Sequence, residues 1–245
     1  MFGLKVINNQ ESVLVSDNSP VLVYSQRGQI VVQNTSVVDR PAVGTVVFAT
    51  PVTQTLPPRV FIRFASGRHS SCSIYMTMNG SAGNWTGMTI RAGALGGSTL
   101  PRHVLDYVVC VYSLSNNLPS YGMVVFNADG VPVYRSDDRV VRFSKFTKSW
   151  TEQNSGSYHL NYLPSNITID EDDFIEISQM NRGNANMNLF GGIDLMFTSM
   201  SILSNSVRTL RLVIQFTTQN RNGQRELGST LFCIPICKFP ITDYP

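Results

Sequence analysis

Tyr121-Gly122-Met123-Val124-Val125-Phe126-Asn127-Ala128-Asp129-Gly130-Val131-Pro132-Val133-Tyr134-Arg135-Ser136 reads as a β-hairpin. Tyr121, Met123 and Val125 fall on one face of a strand, and Gly122, Val124 and Phe126 on the other. Asp129-Gly130 then offers a positive φ at little cost, and Val131 to Arg135 makes the return strand. The same pattern opens the chain: Phe2-Gly3-Leu4-Lys5-Val6-Ile7-Asn8 repeats aromatic, Gly, apolar, any, Val, apolar, Asn. One inserted residue later, Val13, Ser16, Asp17 and Val21 align with Val133, Ser136, Asp137 and Val141. This first copy turns through Asn8-Asn9-Gln10-Glu11, where Asn tolerates the left-handed region. Each copy ends on a Ser-Asp pair whose side chains can bond local backbone. The offset is about half of the chain's 245 residues, which predicts two tandem units with related openings.

Alternation and β-branched runs continue outward from these hairpins, and helical periodicity is almost absent. Val21 to Gln26 and Gln29 to Gln33 flank Arg27-Gly28 and predict a further hairpin. Pro41, Pro51, Pro57 and Pro58 discourage central strand pairing and predict a traverse along an edge or surface. Arg59 to Ala65, Cys72 to Met78, Trp85 to Arg91 and Asp106 to Tyr112 predict a four-stranded meander with Gly-rich tips, one half of a sandwich. In the second half, strands are expected at Val140 to Phe146, Phe174 to Ser178, Gly192 to Ser199, Thr209 to Thr217 and Thr230 to Phe239, with Ser149 to Tyr158 as a loop. The expected fold is all-β: two tandem β-sandwich-like modules with related opening hairpins, over 1–118 and 119–245.

Only 14% of residues are charged, against ~25% in a typical soluble domain, and the net charge is +3 with no Lys/Arg-rich run. That pattern argues against nucleic-acid binding and suits a protein packed against neighbours. The longest apolar windows, such as Tyr107 to Tyr112, are strand-length, so no membrane insertion is expected. No secretory signal opens the sequence, which predicts synthesis and assembly in a cytoplasm, with Cys72, Cys110, Cys233 and Cys237 as buried thiols. Cys233 and Cys237 on one strand would lie about 13 Å apart, too far for one zinc unless Pro235 turns the chain.

The candidates for chemistry are sparse. His69, His103 and His159 stand in unrelated contexts, and no nucleophile elbow, zinc pair, Walker loop or dinucleotide fingerprint occurs, so no enzyme activity and no cofactor are expected. Asp170-Glu171-Asp172-Asp173, with Glu176 beyond, is dense enough in hard oxygen ligands to suggest calcium, but it lacks the spaced ligands and central Gly of a calcium loop and reads as a solvated acidic turn. Trp85, Trp150, Tyr158 and Tyr162 are the aromatic candidates for a sugar platform, with Trp85 expected in a core.

The two openings resemble the "FGLQVFN…G…V.DS" segments of small virion proteins encoded near the tail genes of long-tailed bacteriophages, in which the segment recurs at the amino terminus and at mid-chain. Here Lys5, Val124 and Arg135 depart from that pattern. The resemblance implies a structural component of the tail tip or tail fibre attachment region, located in the virion tail and bound to other phage tail proteins as a homo-oligomer, a trimer or hexamer. Free strand edges are templates for pairing with another chain, so the partner-binding residues expected are Phe2, Gly3, Val6, Asn8, Tyr121, Gly122, Val125 and Asn127. The alternative is a host receptor-binding module that recognises a surface glycan or protein through the Gly-rich loops. A depolymerase, the remaining class, would need paired carboxylates in a groove.

Overall fold

The computed structural model describes residues 5–7, 13–16, 20–33, 42–66, 72–94, 102–112, 121–147, 149–151, 153–157, 160–178, 185–189, 192–203, 208–216 and 233–245. Among them every regular element is a strand. In chain order these are β1 (Lys5–Ile7), β2 (Val13–Ser16), β3 (Leu22–Val32), β4 (Ala42–Val52), β5 (Arg59–Ser66), β6 (Cys72–Ser81), β7 (Asn84–Ala94), β8 (His103–Tyr112) and β9 (Val124–Phe126). The second half adds β10 (Pro132–Arg135), β11 (Phe143–Phe146), β12 (Gln153–Ser157), β13 (Leu160–Thr168), β14 (Asp173–Glu176), β15 (Ala185–Leu189), β16 (Gly192–Leu203), β17 (Thr209–Phe216) and β18 (Pro235–Lys238). The fold is all-β, as the alternation requires.

Two antiparallel sheets carry the core. One has the order β11-β18-β14-β5-β8-β3, the other β12-β13-β17-β16-β6-β7-β4, with β15 paired to β16. Even-numbered β5 residues Val60 and Ile62, odd-numbered β8 residues Leu105, Tyr107 and Val109, and Ile175 of β14 face Ile74, Met76, Met88 and Ile90 of the second sheet in one buried cluster. The intervening residues Phe61, Val108, Cys110, Phe174 and Cys237 form a second cluster on the other side of the six-stranded sheet, closed by Phe239 and Tyr244. Strands apolar on both faces take the centre of a sheet, which is why β5, β8 and β14 sit where they do.

That requirement overrides the expected boundary between residues 118 and 119. β5 pairs with β14 (Ile62 opposite Ile175) and β6 with β16 (Ile74 opposite Met200), so both large sheets take strands from each half. The expected four-stranded meander is likewise divided: β5 and β8 lie in one sheet, the β6-β7 hairpin in the other. Arg27-Gly28 makes no turn. It lies inside the continuous β3, and Gly28 is opposite Tyr107, where an added Cβ would come within 2.6 Å of the phenol oxygen. The glycine serves an aromatic neighbour. The segment expected as a loop at Ser149 to Tyr158 contains β12, paired to β13. The Pro-rich traverse is the edge strand β4 and the turn after it.

The two opening hairpins are real and separate. β1-β2 and β9-β10 each form a two-stranded sheet of their own. Each return strand carries an extra residue: Leu14 is passed over between Val13 and Val15, and Val133 between Pro132 and Tyr134.

Candidate interaction site

Residues 121–141 build a hydrogen-bonded display. Asn127 N donates to Val131 O at 2.9 Å, and its side-chain Oδ1 accepts from Asp129 N at 3.0 Å and Val131 N at 2.8 Å. Gly130 completes this Asx-type turn at φ +75°. At the open end, Ser136 N donates to Met123 O at 2.9 Å and Ser136 Oγ accepts from Met123 N at 3.0 Å. Gly122 has φ +131°, and a Cβ there would overlap that Ser136 oxygen. Asp138 holds the return strand by accepting from Arg135 N at 3.1 Å and from its guanidinium at 2.7 Å.

The hairpin is moored to the edge of β3. Val21 N donates to Val133 O at 3.1 Å, Tyr24 N to Arg139 O at 2.9 Å and Val141 N to Leu22 O at 2.9 Å. Two residues further on, Phe143 pairs with Cys237 of β18. A short segment thus joins the β3 edge to the β18 edge, so the six-stranded sheet curls back on itself. Tyr244 closes the curl, donating its hydroxyl to Val140 O at 2.8 Å, while Arg27 Nη1 donates to Tyr244 O at 2.9 Å.

This scaffold buries Val125 and Val133 but leaves Tyr121 94%, Met123 48% and Phe126 44% exposed. Of the residues expected from sequence, Tyr121 is displayed, Gly122 and Asn127 fix the backbone, and Val125 anchors the hairpin. Phe2, Gly3 and Asn8 lie outside the described residues, and Val6 is described only as part of β1. Sequence reasoning missed Asp138, whose role shows only once the chain turns at Ser136. It also missed Phe143 and Phe146, 45% and 40% exposed on β11.

The buried acids of the described residues all face cations. Asp106 accepts from Arg63 at 2.5 Å and from Gln29 at 2.8 Å, and Glu176 accepts from Arg59 at 2.9 Å. Arg63 also lies over the Phe174 ring, 4.9 Å from its centroid. Lys145 Nζ sits 2.7 Å from both Asp170 and Asp173, and Lys238 Nζ 2.8 Å from Asp172. Asp170, Asp172 and Asp173 place carboxylate oxygens within 4.8 Å of one another, a spacing a metal ion could bridge, but the two ammonium groups already stand against them. Hydrogen bonds from Lys145 and Lys238 hold Asp170 and Asp172, respectively, below the usual carboxylate range. This is the chemistry of an ion-paired turn.

Trp85 and Trp150 serve the fold. Trp85 is partly buried and donates Nε1 to Gln54 O at 3.0 Å, and Trp150 is buried in the main core. Tyr162 lies in β13, Tyr158 outside the described residues. His103 is buried edge-on to Phe64, at 6.0 Å between centroids, and His69 and His159 lie outside the described residues. Burial pushes the Cys110 and Cys237 thiols far up, whereas Cys233, expected to be buried, is exposed just before β18 begins. Comparison with protein-family models, with curated proteins and with solved structures found no match.

Proposed function

We propose that this chain is a structural protein of a tailed-bacteriophage virion, a tail tip or tail fibre attachment component that docks other tail proteins through its hairpins. The resemblance of the two openings supplies the setting. The observation that carries the docking role is the β9-β10 hairpin, which locks its backbone at both ends and spends that order on displaying Tyr121, Met123 and Phe126. A preordered backbone loses little further entropy on contact, so a partner gains the burial of these side chains, about 1.5–3 kcal/mol for each one fully covered, less about 0.5–1.5 kcal/mol for fixing its rotamer.

The test is incorporation into particles. Phage carrying Tyr121→Ser, Met123→Ser and Phe126→Ser together are expected to assemble particles depleted of this chain, with the purified variant folded as judged by circular dichroism. Normal incorporation of the triple variant overturns the hairpin as the docking element. Absence of the unaltered chain from purified virions overturns the assignment itself.

A further inference from the structure

We propose that the turn at residues 240–245 is a latch: it clamps the segment that moors the β9-β10 hairpin, and the two open together, ahead of the body of the fold. The turn is lightly held. Its internal bonds run from Asp243 N to Pro240 O at 3.1 Å and from Tyr244 N to Pro240 O at 2.9 Å. Tyr244 is the one buried residue of the six, and Ile241 stands 70% exposed. A segment anchored to the body by a single side chain opens locally, at a fraction of the global stability.

That side chain does two things. The Tyr244 ring packs against Phe239 and Tyr24, with centroids 5.1 and 5.7 Å away. Its hydroxyl donates to Val140 O at 2.8 Å. On the β3 side, Arg27 Nη1 donates to Tyr244 O at 2.9 Å, and the Tyr24 hydroxyl donates to Pro245 O.

The mooring of the hairpin uses the same residues. Tyr24 N donates to Arg139 O at 2.9 Å, Val140 bridges to Val23, and Val141 N donates to Leu22 O at 2.9 Å. The Arg139 guanidinium lies over the Tyr24 ring, 5.9 Å from its centroid, and Val141 is buried in one cluster with Tyr244. Residues 139–141 therefore cannot lift from β3 without pulling Val140 O off the Tyr244 hydroxyl. Departure of Tyr244 in turn strips that carbonyl of its donor and uncovers the Tyr24 ring. Contacts that share partners in this way are coupled and do not add independently. The coupling is reciprocal: whatever draws the hairpin away from β3 favours release of the turn, and whatever takes Tyr244 loosens the hairpin. The proposal stands apart from the docking reading, since it concerns the purified chain alone.

Native-state hydrogen exchange in low urea tests it. In the wild-type protein the amides of Tyr244, Tyr24 and Val141 are expected to exchange through one opening, with a common free energy and urea dependence, and faster than those of β5 and β8. Tyr244→Phe keeps the ring and removes the hydroxyl. The Tyr24 and Val141 amides should then exchange about 3- to 10-fold faster, with β5 and β8 unchanged. Rates for Tyr24 and Val141 within about 1.5-fold of wild type, or an equal acceleration throughout β5 and β8, overturn the latch. A Tyr244 amide that opens separately from Tyr24 and Val141 does so as well. If circular dichroism shows Tyr244→Phe to be misfolded, the wild-type comparison decides alone.

Discussion

Gly122→Ala is the sharpest probe of the displayed hairpin. At φ +131° an L side chain is strained by about 1–3 kcal/mol, and the new methyl would overlap Ser136 Oγ, displacing the acceptor of Met123 N for about 1 kcal/mol more. The sum is about 2–4 kcal/mol. It is concentrated in a two-stranded sheet moored to the body chiefly through Val133 O, so it is felt as local opening. Native-state hydrogen exchange should show the amides of Met123, Asn127 and Ser136 exchanging about 30- to 1,000-fold faster, with those of β5 and β8 unchanged. Ser136→Ala alone costs about 1 kcal/mol. In the double variant the clash is gone, because the next atom, Ser136 Cβ, lies 3.5 Å from the added methyl. The two changes should therefore open the hairpin by about 1 kcal/mol less than their sum, because the same hydrogen bond is lost in both. Exchange within twofold of wild type for Gly122→Ala, or strict additivity in the double variant, would refute the proposed geometry.

Thiol labelling of the native protein should modify Cys233 and spare Cys110 and Cys237 until the chain unfolds, as read by mass spectrometry of alkylated peptides. Acid should weaken the 170–173 turn. Asp170 and Asp172 have folded pKa values below their unfolded ones, so their contribution is present above the unfolded value and is lost as pH falls from about 5 through the folded pKa, a loss that urea midpoints should show and that Lys238→Gln should reduce. Millimolar calcium should leave the Tm unchanged, since Lys145 and Lys238 hold the carboxylates, and a rise of more than about 3 °C would contradict that account. Asp173→Asn should destabilise by about 1–3 kcal/mol in urea unfolding, because a buried carboxylate facing Lys145 and the Asp170 amide is replaced by a group that matches neither as well.

Elements whose local chemistry and burial agree could be read directly. Tyr107 to Tyr112 is apolar at every position because both sides of β8 are buried, and Thr209 to Phe216 is the long strand its β-branched run predicts. Gly130 and Asn127 define their turn by sequence alone. Arg27-Gly28 misled for a reason of packing: glycine at a turn and glycine opposite a tyrosine look identical until the Tyr107 partner, far along the chain, is in place. β13 escaped notice because polar residues and Pro164 interrupt any alternation, while its backbone is paired along β17 at Leu163 and Pro164.

The same distinction separates the legible from the illegible parts of the interaction site. The repeat marked the hairpins because their constraints are local: a glycine, an asparagine and a serine within one turn or one strand pair fix the backbone. Mooring, edge protection and ion pairing are set by residues far apart in sequence, such as Gln26 on the β4 edge or Lys145 against Asp173. Which edges are covered is therefore a property of the completed sheets. Phe143 and Phe146 look like ordinary alternating strand residues on paper. Only the slip against β18 brings both rings to one side, beside Cys237 and Pro235, and that slip is set by a partner strand far along the chain.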